Sequence, residues 1–129
     1  MSTLKIGIAD PEEMKARTMR IARGEEKPAP GDPTVWFAST MSFAKFLSPG
    51  NCDLLRIIHE QEPESLEELA QITGRAKSNL SRTLKAMAGY GLVRMEKGKG
   101  LKLVPKVIHD RVELFLPLFD RRKKKGTRK

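Results

Sequence analysis

The stretch 73–100, TGRAKSNLSRTLKAMAGYGLVRMEKGKG, decides how the chain is read. Thr73-Gly74 has the composition of a tight turn. From about Lys77 to Ala88, Leu80, Leu84 and Met87 recur at i, i+4 and i+7, the spacing of one helical face. Gly89-Tyr90-Gly91 stops that helix. The period then drops to two. Leu92–Glu96 reads as a strand, Lys97-Gly98-Lys99-Gly100 as a turn, and Leu101–Val104 as the returning strand, ended by Pro105. The spacing predicts a helix over 77–88 and a hairpin over 92–104. Residues near Arg75-Ala76 offer no good cap, so Thr73 or Ser78 competes as the start of the helix.

Upstream, two more helices are punctuated. Ser48 or Asn51 caps a helix whose broad apolar face holds Leu54, Leu55, Ile57 and Ile58; Glu62-Pro63-Glu64 ends it. Ser65 opens the next, with Glu68 three residues on as a capping box and Leu66, Leu69, Ala70 and Ile72 as apolar positions. Helix, short helix, glycine turn, longer basic helix and hairpin follow in the order of a winged helix–turn–helix. Further out, Leu4, Ile6 and Ile8 alternate as a strand. Asp10, Pro11 and Glu13 predict a capped helix ending at Gly24. The segment 24–33, GEEKPAPGDP, reads as an extended linker. Thr34–Phe37 is β-prone, a short helix lies near Ser42–Leu47, and Arg111–Leu118 reads as a last strand. The predicted class is mainly α with small β: a winged helix–turn–helix domain over 34–118 that includes a C-terminal strand, an N-terminal strand–helix arm with its linker over 1–33, and a basic tail over 119–129.

Charge narrows the function. The chain has 129 residues, one domain's worth, and a net charge of +9. Residues 1–74 are net −4, residues 75–111 net +8 and residues 120–129 net +6. Solubility alone does not require that asymmetry, which favours an anionic partner such as nucleic acid over a merely solvated basic surface. The single cysteine, Cys52, rules out an internal disulfide, and His59 and His109 lack ligand spacing. No metal, no cofactor and no catalytic constellation is expected, so the chain reads as a non-enzyme. No apolar run is long enough for a membrane span, and Asp10 interrupts any signal-peptide core. A cytoplasmic protein without a membrane role is expected.

The helix 77–88 turns Lys77, Ser78, Asn79, Ser81, Arg82 and Lys85 away from its apolar face, and residues 74–95 contain no acidic side chain. A merely solvated face usually mixes Glu with Lys. Short donors and acceptors interleaved with cations suit a major groove, where Arg reaches guanine and Asn adenine. Arg75 adds charge at the turn, and Lys97 and Lys99 flank the hairpin tip, where glycines let backbone approach a duplex. The expected DNA-binding set is Arg75, Lys77, Ser78, Asn79, Ser81, Arg82, Lys85, Lys97 and Lys99.

The stretches EEMKARTMRIARGE (12–25), TVWFAS (34–39) and TGRAKSNLSRTLKAMAGYGLVRMEKGKG (73–100) resemble a family of small MarR-like winged-helix transcriptional regulators. The resemblance implies sequence-specific binding of double-stranded DNA by a dimeric repressor. It also implies an antitoxin-like autorepressor encoded beside a small toxin-like partner. A dimer would set two recognition helices about 34 Å apart on one DNA face. Residues 3–24, Thr34–Phe37 and Val112–Leu118 are the candidate interfaces, with Trp36 and Phe37 equally placed to be core. Two other readings compete: a small-molecule-responsive MarR-like repressor without a toxin partner, and a non-specific nucleic-acid-binding protein. Aromatic residues are only 5% of the chain, too few for a single-strand stacking platform.

Overall fold

The computed structural model describes residues 2–119. Among them are five helices and five strands, a mixed α/β chain rather than a mainly α one. The order is β1 (Ser2–Ile8), α1 (Pro11–Ala22), β2 (Val35–Phe37), α2 (Thr40–Phe46), α3 (Pro49–Gln61), α4 (Leu66–Thr73), α5 (Lys77–Gly89), β3 (Val93–Lys97), β4 (Leu103–Val107) and β5 (His109–Phe115). None of these helices is long and apolar enough to cross a membrane. The basic stretch 121–129 lies outside the described residues. The chain divides into two compact units, one of Ala44–Val112 with the first residues of β1, the other of Lys5–Phe43 with the segment from Glu113 on.

In the first unit, α3, α4 and α5 surround a core of Leu54, Ile58, Leu66, Leu69, Leu80, Leu84 and Met87, closed by Leu92 and Val93. Ser48 caps α3 by accepting from the Asn51 N–H at 3.2 Å. Glu62 ends α3 in the left-handed region at φ 46°, and the buried Pro63 blocks its continuation. At α4, Ser65 accepts from the Glu68 N–H at 3.0 Å, while the Glu68 carboxylate accepts from Glu64 rather than from Ser65 itself, at 2.7 Å. Gly74, at φ 77°, makes the turn into α5. The antiparallel hairpin β3–β4 packs on α3, α4 and α5.

Two expectations about this unit need correction. Pro105 does not end the returning strand; it pairs with Met95 and β4 runs on to Val107. Each strand of a two-stranded ribbon has an open side, where the missing N–H of proline costs no ladder bond. The start of α5 is also neither Thr73 nor Ser78. Ala76 is the N-cap, without a side-chain hydrogen bond, and Thr73 instead accepts from the Arg75 N–H at 3.2 Å.

In the second unit β1 and β2 pair in parallel, Ile6 with Val35, Gly7 with Trp36 and Ile8 with Phe37. Parallel neighbours need a crossover, and α1 with the segment after it supplies one. The extended linker expected over 24–33 is instead folded back onto α1. Arg17 pairs with Asp32 at 2.8 Å and Glu26 at 3.3 Å, Arg20 pairs with Glu26 at 2.8 Å, and the Asp32 carboxylate accepts from the Ala29 N–H. Partly exposed pairs of this kind add little stability each, but together they fix a path that prolines already stiffen. The Asp10 half of the expected capping box is not formed: Asp10 is the N-cap but its carboxylate accepts no capping bond. Pro11 at N1 lacks an N–H, and Glu12 and Glu13 in the first turn favour the helix end through the dipole. The strand order of the three-stranded sheet is β2-β1-β5. Its last strand begins at His109 and ends at Phe115, shifted toward the N-terminus from the expected 111–118.

Phe37 is buried and stands edge-on to Phe43, so it is core. Trp36 is half-buried and lies against Gly7, where a Cβ would come within 2.4 Å of its ring. Arg17 stacks over the same ring at 5.8 Å and Phe115 meets it edge-on at 6.4 Å. Gly7→Ala is therefore expected to push the indole out and to cost about 1–3 kcal/mol. Trp36 is the only tryptophan. A red-shifted emission together with a lower unfolding midpoint is the expected result, and unchanged emission would show that the ring does not depend on that gap.

Candidate nucleic-acid interface

The exposed side of α5 follows from its buried one. At 100° per residue, Leu80, Leu84 and Met87 cluster on one face, so Ser78, Arg82, Lys85 and Gly89 fall opposite. All four are exposed, as are Lys77, Asn79 and Ser81 on the flanks. The helix begins with no side-chain cap and no acid in its first turn. Its first N–H groups and positive dipole end therefore add to the charge of Lys77. By contrast α4 starts with a serine cap and Glu67 and Glu68 in its first turn.

The nine expected residues are not equivalent in this geometry. Arg82, Ser78 and Lys85 stand on the outer stripe, and no ion pair holds Arg82 or Lys85 among the described residues. Lys77 turns to the flank and pairs with Glu67 of α4. That bond, foremost among the causes, holds the Glu67 carboxyl below its ordinary range. Arg75 is half-buried. Its guanidinium donates to the Asn51 side chain at 3.1 Å, lies 3.5 Å from the Asn79 oxygen, and sits over Gly50. Asn51 in turn donates to the Phe46 carbonyl at 3.0 Å. Arg75 thus ties the start of α5 to the start of α3. Sequence spacing carried no hint of this link, because Asn51 and Arg75 stand 24 residues apart.

At the hairpin, Lys97 and Lys99 are both exposed. Gly98 donates its N–H to the Lys102 carbonyl at 2.8 Å, and a Cβ there would come within 2.6 Å of Val104. Gly100 takes φ 67°. Two glycines are thus required by the turn itself, for close packing and for a left-handed backbone. The tip also presents Leu101, 93% exposed, an apolar residue that strand alternation had placed inside β4. The hairpin turn instead takes it.

Gly89 closes α5 on the exposed face. Its φ is not positive, and a Cβ there meets open space. Gly89→Ala is expected to stabilise the fold by about 0.4–1 kcal/mol, chiefly by restricting the unfolded chain. Urea denaturation reads the gain, and a loss would mean that the helix ends earlier in solution.

Neither a curated protein nor a solved structure matches the chain. One family model does, HVO_A0114, over residues 46–114. The match takes in α3, α4, α5, the hairpin and nearly all of β5, more than half of the sequence. On that match, the chain belongs to the HVO_A0114 family.

Proposed function

We propose that the chain is a sequence-specific double-stranded DNA-binding transcriptional regulator of winged helix–turn–helix type, acting as a dimeric repressor. In this reading α4 and α5 are the helix pair, with α5 in the major groove, and the β3–β4 hairpin is the wing, on the backbone or in the minor groove. One observation carries it: Ser78, Arg82 and Lys85 stand exposed on one stripe of a helix without acids, and the hairpin that follows it in the chain bears the exposed Lys97 and Lys99 at its turn. Arg82 is the base-reading candidate, and the lysines are phosphate anchors.

The experiment is a salt titration with duplexes from the DNA flanking the chain's own gene and with random duplexes of equal length. Each neutralised phosphate contributes about −0.9 to the slope of log K against log salt. A sequence preference that persists as salt rises supports the reading. Equal affinity for all duplexes across the titration would leave a non-specific nucleic-acid-binding protein. The resemblance to antitoxin-like regulators adds a small toxin-like partner, which co-purification from the native host tests directly.

A small-molecule-responsive regulator has one observation in its favour. A cleft of about 330 Å³ opens between α3 and the β4–β5 region of the first unit, lined by Leu47, Leu55, Leu92, Val107 and Val112 together with Arg56, His59, His109, Asp110 and Arg111. A thermal-shift screen of small apolar acids would reveal such a ligand.

A further inference from the structure

β5 is the last strand of its sheet, with β1 on one side and no neighbour on the other among the described residues. Open strand edges are normally blunted by proline, lysine, bulges or a covering element. In this sequence Pro117 comes only after the strand has ended. From the strand onward Leu114, Phe115, Leu116, Leu118 and Phe119 are between 43% and 84% exposed. A contiguous apolar run beside open backbone marks an interaction surface.

The charges on the strand select the occupant. Arg111 and Glu113 flank Val112, both are exposed, and no ion pair holds either among the described residues. When two β5 strands run antiparallel about a two-fold axis at Val112, Arg111 faces Glu113 of the second copy, and Glu113 faces its Arg111. The neighbouring two-fold registers, centred on Arg111 or on Glu113, set one of those charges against its own copy. Direct like-charge pairs are destabilising and opposite pairs stabilising, so the strand specifies both its partner and its register. An interface of this kind is isologous and closes at two copies.

We propose that β5 pairs antiparallel with β5 of a second copy of this chain about a two-fold axis at Val112, joining two three-stranded sheets into one of six strands. This rests on the dimer of the proposed function and names its interface; because the test contains no DNA, the interface and the DNA-binding reading can each fail alone. Sedimentation equilibrium of the full chain should show a dimer. Arg111→Glu and Glu113→Arg each set like charges together twice per dimer and should raise the dissociation constant roughly tenfold or more. The double exchange, Arg111→Glu with Glu113→Arg, should restore it, which a merely structural role for either residue would not produce.

A second arm is independent of charge. In a Cys52→Ser background, Val112→Cys should cross-link to its own copy on oxidation. Asp110→Cys should not, because its counterpart lies about 14 Å along the partner strand. A monomeric wild type, a double exchange as weak as the single variants, or equal cross-linking at 110 and 112 would each overturn the proposal.

Discussion

Leu80→Ala is expected to cost about 2–5 kcal/mol of folding stability, with a fall in melting temperature of about 10 °C or more. Leu80 is fully buried, with Leu69 and Leu84 as neighbours in the same core. Its removal leaves a cavity in the core shared by α4 and α5, which the neighbouring side chains fill only in part. The adjacent Ser81 is exposed and makes no contact that holds the fold, so Ser81→Ala should stay within about 0.5 kcal/mol. Circular dichroism melts of the two variants check the difference. Comparable losses at both positions would mean that α5 is not seated by its 80–84–87 stripe.

That stripe was legible because periodicity is a local signal. Leu80, Leu84 and Met87 repeat within a single helix, and Ser65 with Glu68 announces a helix start in four letters. The bounds of α5 accordingly came within a residue of the observed ones. Features that depend on residues far apart in the chain left no such mark. The Pro-rich stretch 24–33 has the composition of an extended linker, and it is folded back by Arg17 and Arg20, which stand on α1 away from Asp32 and Glu26 in the chain. Pro105 reads as a terminator in any sequence, and it becomes a strand residue only once Met95 is known to face it. The same holds for the candidate interface. Which side of α5 is outward was readable from the apolar spacing. That Arg75 is committed to Asn51 was not, nor that Lys77 is drawn aside by Glu67, since both partners sit on other helices. The consequence is a ranking of cations that composition treats alike. Arg82 and Lys85 are available to an anionic partner, whereas Arg75 and Lys77 must first give up bonds within the chain.

The ranking makes Arg82→Ala the sharpest test of the DNA-binding reading. It is expected to weaken binding to the specific duplex by about 1–3 kcal/mol, a loss of roughly five- to 150-fold, and to relax the preference at one base position. Because no ion pair holds Arg82 within the described chain, its removal should leave folding stability within about 0.5 kcal/mol. The measured change then belongs to the complex rather than to a damaged fold. Lys85→Ala should behave differently: affinity falls for every duplex alike, and the salt slope becomes shallower by about 0.9. Arg75→Ala would confuse the two, since it also releases Asn51 and loosens the start of α5. Fluorescence anisotropy at several salt concentrations, with circular dichroism as the control for folding, separates the three. Unchanged affinity in Arg82→Ala would remove that residue from base recognition. If Lys85→Ala were silent as well, the outer stripe of α5 would not be the surface that meets DNA.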